Sequence, residues 1–264
     1  MNTTKHQPTR ILCELRRRRA VVSAVEMLTP RMKRITFSTP EFANFESAAH
    51  DDHVKLFFQP DGGNALADAG SPGVSARDFT PRSFNRAQHT LTIDFALHVH
   101  GPATMWAHNA RVGDPMLIGG PRGSLVVPDD FDWYLLIGDE SALPAIGRRL
   151  QELRAAVPVT TVVTIADAAD RQTLTTAADW RPHWIVRGAG SANDAALVMR
   201  TLDGIAFGSG DGFVWIAGET AVARAVRRYI MGPREHPAAW IKAAAYWTRG
   251  RAGEHEAIGD DTPT

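Results

Sequence analysis

The chain has 264 residues and a mass of 28.8 kDa, which predicts about two domains if roughly 150 residues make one. Hydrophobic residues make up 44% and charged residues 22% of the chain, a composition that excludes a disordered or fibrous protein. Lys and Arg number 29, as do Asp and Glu, and this balance argues against a protein that mainly binds nucleic acid or an anionic membrane. The single cysteine, Cys13, excludes an intramolecular disulfide, a Cys-rich zinc site and a protein-held iron–sulfur cluster.

The segment before Arg19 is polar and lacks the apolar stretch of a secretory signal. The sequence contains no run of about 18 apolar residues, so we expect no membrane-spanning helix. We therefore expect a cytoplasmic protein that is a monomer, with no nucleic-acid partner and no membrane partner.

The first half of the chain predicts short strands separated by turns that contain Pro and Gly. One helix is predicted from Pro102 through Asn109, and the Gly-, Ala-, Asp- and Ser-rich stretch 61–75 predicts an exposed loop. Segments with a β-rich or alternating pattern lie at 19–27, 32–38, 53–59, 91–98 and 114–119. This pattern is typical of an antiparallel β-barrel or sandwich.

The pattern changes after Pro128, where strands and helices begin to alternate. The predicted strands are 133–137, 159–166, 183–187 and 213–217, and the predicted helices are 142–156, 195–202 and 220–231. Such alternation predicts an α/β domain with a parallel sheet that binds ligands at the carboxyl ends of its strands. The prediction is therefore an antiparallel β-barrel domain over 1–130, an α/β domain over 131–255 and a disordered tail over 256–264.

The segment Arg77-Asp78-Phe79-Thr80 carries an arginine, an aromatic ring and a hydroxyl close together. If the segment is extended, Arg77 and Phe79 share one face, because alternate side chains of a strand do so. Arg77 then suits a phosphate, Phe79 suits stacking on an aromatic ring, and Thr80 suits a hydrogen bond to a ring nitrogen. The alternative is an edge strand with surface arginines.

The segment from Gly101 to Trp106 places Gly and Pro at the start of the predicted helix. Pro102 suits the first helical turn. The free N–H groups of that turn, together with the helix dipole, form an anion site that fits a pyrophosphate. The alternative is an ordinary helix start with Trp106 in the core.

Two strand-to-helix turns in the second half are candidates for dinucleotide binding. The segment Gly138-Asp139-Glu140-Ser141 follows the first strand, and Gly218-Glu219 follows the last. A dinucleotide binds at such turns of a parallel sheet. The G-x-G-x-x-G fingerprint is missing, and a helix cap at Ser141 is the alternative.

Taken together and in this order, the segments resemble the siderophore-interacting protein family, flavin-dependent ferric-siderophore reductases related to the ferredoxin–NADP reductases. The resemblance extends over about residues 10–251 and depends on several segments together rather than on one motif. The matching segments are 52–56, 77–82, 101–107, 120–124, 138–145, 215–219 and 244–247.

The resemblance implies that the β domain binds FAD and that the α/β domain binds NADPH or NADH. Flavin contacts are implied at Arg77, Asp78, Phe79, Thr80, Asp94, Phe95, His98, Gly101, Ala103, Thr104 and Trp106. A segment facing the nicotinamide is implied at Asp139, Glu140, Ser141 and Ala142, and an aromatic pair near the flavin at Tyr246 and Trp247. Phe79 stands where the family usually has tyrosine, and it keeps the stacking face while losing a hydroxyl. His98 and His100 can share a face of a strand, but we predict no metal site there.

The activity that the resemblance implies is reduction of a ferric siderophore with NAD(P)H and FAD, which releases Fe(II) from an anionic chelate during iron uptake. The cofactors carry this chemistry, so no side chain is predicted to act as nucleophile, acid or base. Ferric catecholates, the expected substrates, are anionic, and a neutral protein needs a local basic cluster to bind them. Lys55, Arg122 and Lys242 are the candidates, and three solvated cations are the alternative.

Two residues point to different nucleotides, so the choice between NADH and NADPH stays open. Asp167 follows the second predicted strand of the α/β domain, where an acidic residue favours the ribose hydroxyls of NADH. Arg171 lies nearby and favours the 2′-phosphate of NADPH, and this second preference is the one we expect.

Two other interpretations compete with the reductase. A general flavin reductase that donates electrons to ferredoxin or flavodoxin is one, although many such proteins carry a cysteine near the nicotinamide, where this chain has Gly218-Glu219. A non-enzymatic scaffold that uses the run Arg16–Arg19 as an arm for nucleic acid or a partner is the other. The zero net charge and the flavin segments argue against the scaffold, and the run itself predicts an exposed strand entry.

Overall fold

The computed structural model describes residues 5–60, 62, 72–97, 101–187, 194–251 and 258. The chain divides into two compact units, Met1–Pro128 with Gly147–Arg149, and Asp129–Ile146 with Leu150–Thr264. The domain limits predicted at 130 and 255 stay a prediction, and the predicted tail lies outside the described residues except for Ile258. Among the described residues, no helix is both long enough and apolar enough to cross a bilayer.

The described part of the first unit contains nine strands and one α-helix. The strands that precede the helix are β1 (Thr9–Leu12), β2 (Arg17–Thr29), β3 (Met32–Ser38), β4 (Val54–Phe58), β5 (Ser75–Phe79), β6 (Ser83–Asn85) and β7 (Thr90–Ala96). The helix α1 (Pro102–Asn109) is followed by β8 (Pro115–Gly119) and β9 (Gly123–Val126).

Seven of these strands form one antiparallel sheet in the order β5-β4-β8-β2-β3-β7-β6, and β1 pairs with β9 in a separate ribbon. The sheet curls into half of a barrel. Its inner side is apolar: alternate residues of β3, among them Ile35 and Phe37, are fully buried, as are Leu91 and Ile93 on β7. The predicted antiparallel β class is confirmed, and the barrel is open between the edge strands β5 and β6.

The described part of the second unit alternates strands and helices around a parallel sheet. Its elements are β10 (Trp133–Gly138), α2 (Leu143–Glu152), β11 (Pro158–Ile165), β12 (Asp179–Val186), α3 (Asp194–Asp203), β13 (Gly212–Glu219), α4 (Thr220–Met231) and β14 (Ile241–Trp247). The sheet order is β12-β11-β10-β13-β14, with every pair parallel. Helices α3 and α4 cover an apolar cluster formed with β10 and β13. The predicted α/β architecture is confirmed.

Two predicted element limits were wrong by about one helical turn or more, each for a local physical reason, while several others differ by one or two residues. The helix predicted to reach residue 156 ends at Glu152, because the Arg154 N–H donates to Asp129 (2.8 Å) and the Leu150 carbonyl accepts from Thr176 (2.5 Å). These bonds replace the next helical bonds. The strand predicted from 183 begins at Asp179 and includes Pro182, which is tolerated because β12 is an edge strand.

Candidate functional site

The predicted flavin segment lies on the edge strand β5 and turns two of its side chains inward. Arg77 stands opposite Leu56 and Phe79 opposite Val54 in the antiparallel register, and both partners on β4 are fully buried. Alternation therefore places Arg77 and Phe79 on the inner side of the sheet. The Phe79 ring is half-buried and packs on Phe95, with 4.5 Å between ring centroids.

The guanidinium of Arg77 has unused donors. One of its Nη atoms donates to the Ala76 carbonyl at 2.8 Å, and within the described residues this is its only side-chain hydrogen bond. An arginine with free N–H groups on the inner side of a half-open barrel is suited to a phosphate. Thr80 follows the strand directly, and its side chain is buried.

The side chain of Asp78 points to the opposite side of the sheet. It stands opposite Lys55 on β4 and accepts a hydrogen bond from the Lys55 ammonium at 2.7 Å. Asp78 can therefore reach a ligand near Arg77 through its backbone only. The same ion pair partly neutralises Lys55, one of the three predicted substrate residues.

The helix α1 begins with uncapped backbone donors. Gly101 at the N-cap has φ +132°, which only glycine adopts readily, and a Cβ built there meets no atom within 4 Å. Among the described residues no side chain caps the helix, and Pro102 occupies the first turn. The N–H groups of Ala103 and Thr104 thus belong to the first turn, where an anion satisfies donors that the helix leaves unpaired.

An aromatic cluster connects this helix start with the flavin segment. The Trp106 ring lies 5.9 Å from Phe58 and 5.7 Å from Phe95, and both of those rings also pack against Phe79. Trp106 and Phe95 are only 3% and 1% exposed, so their side chains belong to the core. They support the half-buried Phe79 from the inside.

The remaining predicted residue of β7 that the structure describes, Asp94, is held in an ion pair. Both of its oxygens accept from Arg34, at 2.7 and 2.8 Å, and Arg82 lies 3.8 Å away. His98 and His100 lie outside the described residues. Within the described ranges, no group of three or more His, Cys, Asp or Glu side chains is placed to hold a metal ion.

The residues of the first unit fit a flavin dinucleotide. The free guanidinium N–H groups of Arg77 and the uncapped start of α1 suit a pyrophosphate, and Phe79 offers a partly exposed ring for a flavin. Within the described part of the chain, no atom lies within 4 Å of a Cβ placed on Gly101, which leaves room beside the helix start. FAD is the cofactor with these two parts.

The second unit has a crevice where the order of its strands reverses. The chain runs outward from β10 to β11 and β12 on one side, then returns to β13 and β14 on the other, and ligands bind at such switch points. Gly138 ends β10 here, and a Cβ on it would lie 2.4 Å from the Ala142 Cβ, so only glycine permits this turn. The polar and glycine residues that line it are Gly138, Asp139, Thr164, Asp194, Gly218 and Glu219, and the rest of its lining is apolar.

Asp139 ties the ends of three strands together. One carboxylate oxygen accepts from the backbone N–H and the hydroxyl of Ser141, at 2.9 and 2.5 Å. The other accepts from the Glu219 N–H at 3.0 Å and from the Trp247 indole N–H at 2.8 Å. Ser141 therefore donates its hydroxyl to Asp139, which is 6% exposed and fully occupied by these four bonds.

Gly218 leaves room for that carboxylate. Its φ is +144°, a conformation that other residues rarely adopt, and a Cβ on it would lie 2.5 Å from the Asp139 Oδ2. The next residue, Glu219, caps α4 by accepting from the Val222 N–H at 3.0 Å. The backbone at this turn is therefore held by the Asp139 carboxylate on one side and by the cap of α4 on the other.

The sequence analysis missed Asp194, which lines this crevice, and Arg187, which pairs with it. Arg187 follows β12 and is paired with Glu140 and with Asp194, the latter at 3.1 Å. Burial lowers the pKa of Arg187, but the hydrogen bond and charge of Glu140, with the charge of Asp194, outweigh burial and raise that pKa. Asp194 is 3% exposed, and its Oδ1 has no hydrogen-bond partner among the residues that the structure describes. Their positions just after a parallel strand and at the start of the next helix were the available signal.

Comparison with known proteins decides the family. The family model for the siderophore-interacting FAD-binding domain matches residues 21–125, and the family model for the siderophore-interacting protein matches residues 131–250. The chain is 34% identical over 259 residues to the NADPH-dependent ferric-chelate reductase of Escherichia coli strain K12, covering 94% of this chain and 99% of that protein. The chain belongs to the siderophore-interacting protein family.

Solved structures of other siderophore-interacting proteins have the same architecture. A siderophore utilization protein from T. fusca superposes with a TM-score of 0.84 at 33% identity, covering 93% of this chain and 98% of that one. The siderophore-interacting protein SipS from Aeromonas hydrophila superposes with a TM-score of 0.77 at 28% identity, covering 89% and 93% of the two chains. Both matches extend over the β unit and the α/β unit.

The other predicted residues of this siderophore-interacting protein fall into two groups. Arg122 is exposed in the turn between β8 and β9, a few residues from Gly119, which pairs with Lys55. Lys242 and Tyr246 lie on β14 in the second unit, with Tyr246 packed edge-on against Trp215 at 6.1 Å. The joint action of Lys55, Arg122 and Lys242 stays a prediction.

Proposed function

We propose that this siderophore-interacting protein reduces ferric siderophores with NADPH through bound FAD. The observation that carries the proposal is the pairing of two different sites in one chain. The β unit has a site for a pyrophosphate and an aromatic ring, and the α/β unit has a switch-point crevice for a second nucleotide. The Escherichia coli relative, whose name states NADPH-dependent ferric-chelate reduction, matches across both units.

In this proposal the β unit holds FAD. Arg77 and the N–H groups of Ala103 and Thr104 bind the pyrophosphate, and Phe79 contacts the flavin ring. When bound, FAD supplies the exchange between two-electron and one-electron transfer that joins a nicotinamide to a ferric ion. The protein contributes position: Phe95 and Trp106 fix Phe79 from the core, and Thr80 stands next to it at the end of the strand.

The α/β unit holds the nicotinamide nucleotide in this proposal. Asp139 keeps Ser141, Glu219 and Trp247 at the crevice in one arrangement. Within the described residues the buried Oδ1 of Asp194 has no hydrogen-bond partner, and in this proposal it accepts a hydrogen bond from a ribose hydroxyl or a carboxamide N–H. Positioning of this kind lowers a hydride-transfer barrier without an acid or a base.

We propose NADPH rather than NADH as the preferred nucleotide. The Asp167 carboxylate already accepts from the Ala169 N–H at 2.9 Å, which occupies one of the oxygens that would bind ribose hydroxyls. Arg171 is exposed two residues further on, and its guanidinium suits a 2′-phosphate. The Arg171→Gln variant should lose much of its preference for NADPH over NADH in kcat/KM, whereas Arg181→Gln, a matched exposed arginine, should keep it.

The proposed substrate is an anionic ferric chelate of the catecholate type, and Lys55, Arg122 and Lys242 are proposed to bind it. Because Asp78 partly neutralises Lys55, the chelate must compete with that ion pair. The combined Lys55→Gln and Lys242→Gln variant should raise the KM for a ferric catecholate and leave flavin reduction by NADPH unchanged. A KM equal to that of the unaltered protein would contradict the basic cluster.

A cytoplasmic location and a monomeric state complete the proposal, since NADPH belongs to the reducing interior of the cell. Light scattering of the purified protein measures the oligomeric state. The competing general flavin reductase makes a different prediction, because ferredoxin or flavodoxin would then be a better oxidant of the reduced protein than any ferric chelate.

The cofactor assignment is tested with Arg77→Ala. This variant should lose most of its FAD during gel filtration, because the substitution removes a charge-assisted contact to the pyrophosphate that is worth about 1.5–3 kcal/mol, or roughly 10- to 150-fold in affinity. The matched control is Arg111→Ala, an exposed arginine of the same unit. Equal FAD content in both variants would refute the phosphate role of Arg77.

A further inference from the structure

One surface of the β unit is both basic and apolar, and apart from Arg122 the proposed reductase site does not account for it. Residues 9–19 run antiparallel to residues 117–126 as a continuous ribbon: Leu12 pairs with Gly123, and Arg19 with Leu117. Backbone hydrogen bonds from Cys13 to Arg122 (3.1 Å) and from Gly120 to Arg16 (2.9 Å) close the stretch between the two ladders. We name this ribbon, with its side chains, the basic edge.

The basic edge carries a concentration of positive charge that is unusual in a chain with zero net charge. The run predicted as an exposed strand entry enters β2 with Arg18 buried and with Arg17 and Arg19 exposed. The exposed arginines of the edge are Arg10, Arg16, Arg17, Arg19 and Arg122.

Few acidic groups offset this charge. Arg16 is paired with Glu14 at 2.5 Å, and the Glu41 carboxylate accepts from the backbone N–H of Arg19 at 3.3 Å. The Arg17 guanidinium lies over the Phe57 ring, with 5.7 Å between its carbon and the ring centroid. Among the described residues, Arg10, Arg17 and Arg19 have no carboxylate partner for their side chains.

Large apolar side chains stand on the same ribbon in contact with solvent. Leu12 is 84% exposed, Leu15 is 61% exposed and Ile11 is 38% exposed. Both faces of β1 are open, since all four of its residues are exposed. Leu12 and Leu15 keep most of their surface in contact with solvent, so they contribute little to the core, and exposed apolar patches of this kind mark interaction surfaces.

We propose that the basic edge docks the protein reversibly on an anionic lipid bilayer. Arginines attract the negative surface of such a membrane, and leucines insert between its headgroups, so the two residue types together fit a bilayer interface better than they fit nucleic acid, which offers no apolar layer. The earlier expectation of no membrane partner came from the charge of the whole chain, whereas this inference follows from its distribution. The inference does not depend on the proposed reductase activity.

The edge has the dimensions of a peripheral contact. From Arg10 to Arg19 an extended chain covers about 30 Å at about 3.3 Å per residue, which is several Debye lengths at physiological salt. The arginines therefore meet several lipid headgroups at once. Each arginine or leucine of the ribbon contributes only a weak interaction with the bilayer, but the interactions of all of them together bind the protein firmly.

The test is sedimentation of the FAD-loaded full-length protein with vesicles of phosphatidylglycerol and phosphatidylcholine, and with vesicles of phosphatidylcholine alone. We expect binding to the anionic vesicles only, and loss of binding at about 1 M salt, where the Debye length is about 3 Å. The combined Arg10→Gln, Arg17→Gln and Arg19→Gln variant should bind about 100-fold more weakly, since each arginine near the surface contributes about fivefold.

Matched variants separate the edge from general charge and general exposure. Arg111→Gln, Arg200→Gln and Arg228→Gln together remove the same charge from exposed positions elsewhere and should keep full binding. Leu12→Ser with Leu15→Ser should weaken binding by about tenfold for each leucine, whereas Val112→Ser, at a residue 68% exposed outside the edge, should change nothing. Thermal melting and FAD content show that each variant is folded.

Four results with vesicles or an oligonucleotide would overturn the proposal. They are no sedimentation with anionic vesicles, equal sedimentation with phosphatidylcholine alone, equal losses in the edge and control variants, and tighter binding of a double-stranded oligonucleotide than of vesicles. A dimer in solution that Leu12→Ser and Leu15→Ser convert to a monomer would also overturn it, because the leucines would then face a second copy of the chain.

Discussion

Replacing Asp139 by Asn tests whether one carboxylate organises the nucleotide crevice. The carboxylate accepts four hydrogen bonds, two on each oxygen. An amide offers one accepting oxygen, so its NH2 group must face two donors, either those of Ser141 or those of Glu219 and Trp247. Two buried bonds to a charged acceptor are lost, at about 1.5–3 kcal/mol each, and the lower desolvation cost of a neutral amide returns part of this. We expect a net loss of about 3 kcal/mol.

Urea unfolding followed by tryptophan fluorescence measures this loss. Of the seven tryptophans in the chain, only Trp106 belongs to the first unit, so the signal reports mainly on the second. Asp179→Asn is the matched control, because that exposed carboxylate pairs only with exposed Arg181 and such pairs contribute about 0–1 kcal/mol. FAD content should be unchanged, since the residues proposed to bind FAD lie in the other unit, while flavin reduction by NADPH should slow.

Two results would refute this reasoning. One is a stability of Asp139→Asn within about 1 kcal/mol of the unaltered protein, together with an unchanged rate of flavin reduction. The other concerns Trp247→Phe, which removes one of the four donors. If the effects of the two substitutions simply add, Asp139 and Trp247 do not act as a unit, because residues in one hydrogen-bond network should show a coupling of about 0.5–3 kcal/mol.

Three further predictions follow from single residues. Gly218→Ala should destabilise the second unit by about 1–3 kcal/mol because of the positive φ at this position, and by more because the new Cβ clashes with Asp139. The variant should have a lower kcat/KM for NADPH and a normal FAD content. Wild-type values of both kcat/KM and stability would contradict the crevice geometry. Burial lowers the pKa of His236 in the folded protein below the unfolded value near 6.5. The contribution of this residue to the free energy of unfolding is therefore fully present above pH 6.5 and is lost as the pH falls through the folded pKa. Unfolding measured at several pH values should show this loss, which should be weaker in His236→Gln and unchanged in the exposed control His183→Gln. Trp106→Ala should cost about 3–5 kcal/mol in unfolding free energy and loosen FAD, because it removes a core ring that supports the flavin segment; FAD affinity unchanged at full occupancy would argue against that support.

The parts of the fold that local rules determine were predictable from the sequence. Helix α1 was predicted between its observed limits because Gly101 and Pro102 mark its start, and α4 because a buried strand with Gly218 precedes it and Gly232 ends it. The shared face of Arg77 and Phe79 followed from strand alternation alone. These features depend on residues within a few positions of one another.

Other features depend on partners that are distant in the sequence. Asp78 was expected beside Arg77 at a ligand, yet its partner is Lys55, 23 residues earlier on the neighbouring strand. The bond between Asp139 and the Trp247 indole joins residues 108 positions apart. The end of α2 depends on Asp129 and Thr176, which compete for its last backbone groups. No window of sequence contains such pairs, because strand order and register decide them.

The absorbance of the purified protein during an anaerobic titration with NADPH and then with a ferric catecholate tests the reductase proposal as a whole. We predict flavin bands that NADPH bleaches and the ferric chelate restores, with two ferrous ions released for each NADPH, since a hydride carries two electrons and each ferric ion accepts one. A protein that binds no flavin even when FAD is supplied would contradict the account. So would a bleached flavin that ferredoxin reoxidises and ferric chelates do not.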